Sequence, residues 1–238
     1  MKIKFITSMN KRYFDHCGES MIKSFLSHNS HTLYVYNEDD FDVPTGAKAL
    51  GYNLGNQWEQ FKLRFGPKSS VRKFGNKAFS IIHAMNYLKA DRIIWLDADT
   101  IFKKGFDKKI IKSLCPADSL STHLSVWHTQ DGIHYHSCET GFFVLNKKHS
   151  GFKDFKHEYE NIYYNDKIEG LRRYYDGDVY GKVVNIMEDK GHSVTQLNNT
   201  IKKSPVPHSI LEPYMTHFKS KGSKSKIDNN ILKDRYKL

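Results

Sequence analysis

The sequence predicts an α/β protein with a mostly parallel central sheet flanked by helices. Three observations carry this. Arg92-Ile93-Ile94-Trp95-Leu96 is a short, almost wholly apolar run, the pattern of a strand covered on both faces. Phe74, Ala78, Ile81, Ile82, Met85 and Leu88 repeat with a 3.6-residue period, so the segment feeding that strand is a helix with one apolar stripe. The chain also opens strand, helix, strand: Met1–Thr7 alternates, roughly 15–27 reads as helix, and Thr32-Leu33-Tyr34-Val35-Tyr36 is extended. That order defaults to a right-handed parallel crossover.

The remaining elements follow from the same signals. Ser8 to Tyr13 is a polar loop, and residues 41–55, with Pro44, Gly46, Gly51 and Gly55, are loop with room for one short strand. A short helix is expected near Asn56–Phe65 and another over 107–114. Residues 118–136 are irregular and carry His123, His128, His134 and His136. These histidines lack helical i, i+4 spacing and a nearby cysteine pair, which argues against a zinc site. Glu139-Thr140-Gly141-Phe142-Phe143-Val144-Leu145-Asn146 is a polar lead-in to a buried strand. A helix with Phe152, Phe155, Tyr159 and Ile162 on one side comes next. Tyr174 to Asp178 reads as a turn in which Asp178 caps a helix bearing Val179, Val183, Ile186 and Met187. Ser193–Asn198 and Pro213–Phe218 are short extended pieces.

Composition sets outer bounds. At 238 residues with 39% hydrophobic content the chain suits one packed domain over 1–238, its basic segment 219–238 partly mobile. Lys and Arg outnumber Asp and Glu by 37 to 26, a net charge of +11 that favours anionic partners. Cys17, Cys115 and Cys138 are too few and too scattered for a disulfide framework, which suits a reducing compartment. No apolar run reaches membrane-spanning length, so the expected location is cytoplasmic, with peripheral membrane contact still open.

The chemistry concentrates at the end of the 92–96 run, which exits into Asp97-Ala98-Asp99. Residues i and i+2 of an extended chain face one side, so the two carboxylates share one spot at a strand's carboxyl end. Like charges held that close repel, and a hard divalent cation such as Mg²⁺ or Mn²⁺ relieves the repulsion while meeting substrate phosphates. Ligand sites in open α/β sheets also lie beyond the carboxyl ends of the strands.

With the strand 93–99, the strand 139–146 and the late His217 in order, the chain resembles the GT-A (Rossmann-like) nucleotide-sugar glycosyltransferases. It is most similar to small bacterial and viral members with a C-terminal metal-ligand histidine. The resemblance implies a metal-dependent hexosyltransferase, moving a sugar from a nucleoside diphosphate donor, UDP-sugar by family frequency, to a glycan or lipid-linked acceptor. It implies Asp97, Asp99 and His217 as ligands of Mn²⁺ or Mg²⁺, with Asp97 also near the ribose or donor sugar. Thr7, Asn10, Arg12 and Tyr13 would meet the nucleotide, and Arg72 and Lys77 the phosphates or the acidic pair. Lys219 and Lys224 stand near the diphosphate, at offsets from His217 that depart from the family's His-x-x-Gly-x-x-Lys. Glu139, Asp176 and Asp178 fall where the family contacts donor sugar and acceptor and where inverting members keep a general base.

Three rival readings are weaker. Haloacid-dehalogenase-type phosphatases place their threonine two residues after the second Asp, whereas Thr100 is adjacent to Asp99. A nucleotidyltransferase on a similar fold would release pyrophosphate. A basic nucleic-acid-binding protein would explain the charge, but no dedicated nucleic-acid module is visible and the lysines are spread along the chain.

Overall fold

The computed structural model describes residues 1–67, 69–130, 133–165, 167–168, 171, 174–199 and 205–218, with the backbone alone at 70, 127–130 and 133–136. The chain begins with β1 (Ile3–Met9) and passes directly into a helical stretch. That stretch is α1 (Lys11–Tyr13), a π-helical turn (Phe14–Gly18) and α2 (Glu19–His28). The expected loop over 8–13 is therefore mostly absent. Asn10 caps the helix instead, its Oδ1 accepting from the Tyr13 N–H at 2.8 Å, a start signal that apolar periodicity does not reveal.

β2 (Thr32–Asn37) and β3 (Lys48–Gly51) follow, then α3 (Asn56–Arg64), the long α4 (Ser70–Tyr87) and β4 (Arg92–Leu96). After a tight turn come β5 (Thr100–Phe102) and α5 (Lys108–Leu114), then β6 (Ser121–Gln130), β7 (Ile133–Glu139) and β8 (Phe142–Asn146). The chain continues through α6 (Phe152–Tyr164), α7 (Asp176–Asp189), β9 (Val194–Gln196) and a 3₁₀ turn (Val206–His208) to β10 (Met215–His217).

The main sheet has eight strands in the order β3-β2-β1-β4-β8-β6-β7, with β9 beside β6. β1, β2, β3 and β4 are parallel, β8 runs against β4, and β6 runs against both β8 and β7. Six of the eight strands thus share one direction, the mostly parallel arrangement expected. Alternation along the central strands divides the core as the period of two requires. Phe5, Ile94, Leu96, Phe142 and Val144 pack on one face with residues of α2 and α5. Ile6, Ile93, Trp95, Phe143 and Leu145 pack on the other with α3, α4, α6 and α7. Among the described residues no helix is long and apolar enough to cross a membrane.

Two expectations are corrected. The 118–136 stretch is not irregular, because most of it forms the β6–β7 antiparallel ribbon, paired from Leu124↔Glu139 to Gln130↔Ile133. Its polar, histidine-rich composition hid the strands, although Leu124 and Val126 within it are buried. Asp178 is not a helix cap: α7 starts two residues earlier, Tyr175 holds the cap position, and the Asp178 N–H bonds the Tyr175 carbonyl at 3.0 Å.

Candidate active site

The carboxyl ends of β1, β2 and β4 open on the same edge, as parallel strands must. β4 is buried throughout, and the Asp97 N–H carries its ladder one step further by bonding the Gly141 carbonyl at 2.9 Å. The chain then turns at Ala98-Asp99 into β5, which pairs antiparallel with β10 so that His217 lies opposite Thr100. The Phe218 N–H closes this ribbon on the Asp99 carbonyl at 3.0 Å. A two-stranded ribbon off the main sheet thus delivers the late histidine to the acidic pair.

The His217 ring, its side chain 5% exposed, lies among three carboxylates. Its Nε2 is 3.0 Å from Asp99 Oδ1 and 3.7 Å from Asp97 Oδ2, and its Nδ1 is 3.8 Å from Glu139 Oε1. Glu139 ends β7 and accepts the Gly141 N–H on Oε1 at 2.9 Å. One ligand atom each from Asp97, Glu139 and His217 lie within 4.8 Å of one another. Two carboxylate oxygens and an imidazole nitrogen suit Mn²⁺ and, less naturally, Mg²⁺. The residues fit a hard divalent cation, and Glu139, expected on the acceptor side, stands within this ligand group.

Behind the cluster lies a buried ion-pair hub. The Lys77 ammonium, on α4, donates to Asp97 Oδ1 and to the Thr140 carbonyl, each at 2.7 Å, and sits 2.7 Å from Asp176 Oδ2. Thr140 Oγ1 adds a 2.5 Å bond to the same Asp176 oxygen. Burial alone would lower the Lys77 pKa, but Asp176 and Asp97 outweigh it and hold the ammonium well above its ordinary range. For Asp176 burial works upward, and Lys77, Thr140 and the Gly177 N–H together pull its carboxyl below the usual range. Asp176 is therefore a fixed anion, poorly suited to accepting a proton from an acceptor.

Two glycines allow these approaches. A Cβ on Gly141 would lie 2.5 Å from the His217 ring, and one on Gly177 would lie 2.1 Å from the Cys138 carbonyl oxygen. Sequence reasoning singled out neither, although the glycine between Asp176 and Asp178 is the kind of signal that marks a close backbone approach.

Of the remaining expected residues, those described lie on or beside β1, α1, α4 and α7. Thr7 is fully buried inside β1, and its Oγ1 has no hydrogen-bond partner among the described residues. Asn10 is engaged as the α1 cap, Arg12 is exposed, and Tyr13 is half-buried with Lys73 Nζ 5.9 Å from its ring centre. Arg72 lies one turn before Asn76 on α4; burial holds the nearby Tyr52 phenol well above its ordinary range, and the Arg72 charge opposes this only slightly. Asp178 lies in the first turn of α7. Lys219 and Lys224 fall outside the described residues.

No family model matches the sequence, and no curated protein matches it. Solved structures do. The galactosyltransferase LgtC, in complex with donor and acceptor sugar analogues, aligns with a TM-score of 0.59 at 11% identity, over 92% of this chain and 87% of its own. Mouse xyloside xylosyltransferase 1 aligns at 0.54 and 11% identity, over 83% and 86%. A glycosyltransferase involved in glycosylation of the major capsid of PBCV-1 aligns at 0.51 and 13% identity, over 95% and 100%. At such identities the likeness establishes the fold, and that fold is GT-A.

Proposed function

We propose that this GT-A chain is a metal-dependent glycosyltransferase, moving a sugar from a nucleoside diphosphate donor, UDP-sugar in the first instance, to an acceptor hydroxyl on a glycan or lipid-linked molecule. The observation that carries the proposal is the convergence of Asp97, Asp99, Glu139 and His217, drawn from three separate parts of the chain, at the strand ends of this fold. A solvated acidic turn would not recruit a buried imidazole from the far end of the sequence.

In this reading Asp97, Asp99 and His217 hold Mn²⁺ or Mg²⁺, with Glu139 in reach of the same ion. The bound cation supplies positive charge against the departing diphosphate. The protein's own residues do the rest. Lys77 fixes Asp97 and Asp176 together and keeps the floor of the site charged and dry. Thr140 and Gly141 set the β7–β8 turn, so that Glu139 and His217 sit side by side. The proton-accepting role on the acceptor side passes from Asp176, held ionised by Lys77, to Asp178. The basic surface, +11 overall, draws an anionic donor.

The test is donor hydrolysis. Incubation with a panel of UDP-sugars in Mn²⁺ should release UDP from at least one of them, and EDTA should stop it. Release of pyrophosphate from a nucleoside triphosphate and a sugar phosphate, with no UDP from any UDP-sugar, would replace this reading with nucleotidyl transfer.

A further inference from the structure

Trp95 is the penultimate residue of β4, and its side chain lies on the same side of the strand as Asp97, two residues on. Its indole N–H donates to Asp97 Oδ1 at 2.8 Å. The ring is held on several sides. It faces Phe143 on the neighbouring strand in parallel orientation at 6.5 Å, is 1% exposed, and lies beneath the Lys77 ammonium, 5.1 Å from the ring centre. Lys77 itself donates to that same Oδ1. One oxygen of Asp97 is thus bonded by two buried donors, while the other, Oδ2, is the one that faces His217.

An aspartate with one bond into the core retains freedom about its terminal torsion, which is broad and roughly two-fold. Two donors from different elements, one a rigid indole and one an ammonium, remove that freedom. They also occupy Oδ1 from behind, which leaves Oδ2 as the oxygen offered to the site.

We propose that Trp95 is a positioning residue for the cation site: its N–H fixes the Asp97 carboxylate so that Oδ2, and only Oδ2, is presented as a ligand. The inference rests on the metal-dependent reading above and goes beyond it by assigning the role to a residue of the hydrophobic core. Partners that orient a metal ligand in this way are worth 10–100-fold in metal affinity. The indole N–H should lie at the lower end, about 10-fold, because Lys77 remains bonded to the same oxygen.

The experiment replaces Trp95 alone with 3-benzothienylalanine, which keeps the ring's shape and removes only the N–H. Mn²⁺ affinity is then measured from the free-ion electron paramagnetic resonance signal, beside wild type, Trp95→Phe and Asp97→Asn. The expected result is tight Mn²⁺ binding by wild type, about 10-fold weaker binding by the analogue, and loss in Asp97→Asn. The metal-free melting temperature of the analogue should stay within a few degrees of wild type. Wild-type affinity in the analogue, with Asp97→Asn still deficient, overturns the role of Trp95 and leaves the metal site standing. Absence of Mn²⁺ binding by wild type overturns both. Trp95→Phe leaves a space beside Phe143 and is destabilised in addition, so a larger loss there than in the analogue measures packing, not the hydrogen bond.

Discussion

At the scale of single residues, the site depends on groups that tolerate no neighbour and on one cation that tolerates no absence. Gly141→Ala would place a methyl within 2.5–3.1 Å of three His217 ring atoms, so the imidazole must move. We expect Mn²⁺ affinity to fall by roughly 10-fold or more while the melting temperature changes little, as read by ion titration beside calorimetry. Lys77→Met is the opposite case. It leaves Asp176 and the partly exposed Asp97 without their shared cation, and breaking a buried pair costs about 3–5 kcal/mol. For a chain of this size that lowers the melting temperature by roughly 10 °C. The signs of the two shifts give the pH window. Asp176, held low, stabilises the fold above the ordinary carboxylate range and loses that contribution as pH falls through its folded value. Lys77, held high, stabilises below its ordinary value of 10.5 and loses that contribution as pH rises further. Between those limits the pair contributes fully; Lys77→Met should remove the loss at the alkaline end and reverse the slope at the acid end, because burial, no longer opposed by the ammonium, raises the Asp176 carboxyl. The sequence shows why Lys77 was only half legible: it lies off the apolar stripe of α4, where a solvated charge is the ordinary outcome, and Asp176, its strongest partner, is remote in sequence.

At the scale of elements, the pieces with a one-faced or two-faced apolar pattern were legible. α4, α6, β4 and β8 stand where periodicity puts them because each buries hydrophobic surface against the sheet. What periodicity misses is built from backbone and polar groups: the capped start at Asn10, the β6–β7 ribbon, and the β5–β10 pairing that carries His217 to Asp99. A second polar device joins β2 to α4. Asn76 donates from Nδ2 to Glu38 Oε2 at 2.5 Å, while its carbonyl accepts the Tyr52 hydroxyl at 2.7 Å. Burial raises the Glu38 carboxyl to about 7, with Asn76 opposing and Asp39 assisting. A carboxyl raised in the folded state stabilises while protonated, so its contribution is present below its ordinary value of 4.5 and lost as pH rises through about 7. The full shift corresponds to no more than about 3 kcal/mol. Urea titrations of wild type and Glu38→Gln across that range should therefore diverge, with the wild type losing stability relative to the variant as pH rises. Parallel curves would place Glu38 in water.

At the scale of the whole molecule, the mostly parallel central sheet and the carboxyl edge of its β4 strand follow from hydrophobic runs, whereas the strand order does not. The acidic exit of β4 stood out in the sequence as a candidate site because no packing need explains two carboxylates there. Glu139, expected by resemblance in the region that contacts donor sugar and acceptor, ends β7, where the tight turn through Gly141 brings it beside His217. These side chains are proposed to form one cation-dependent donor site. Thermal unfolding with UDP, in Mn²⁺ and again in EDTA, for wild type and Asp99→Asn, tests it most directly. A ligand at a hundred times its dissociation constant stabilises by about 2.7 kcal/mol, which for a chain of this length is roughly 5–10 °C. The account predicts a shift of that size in wild type with Mn²⁺ and UDP, and none in EDTA or in Asp99→Asn. An equal shift in all samples, or none with UDP, GDP, CDP or ADP in any of them, would contradict it.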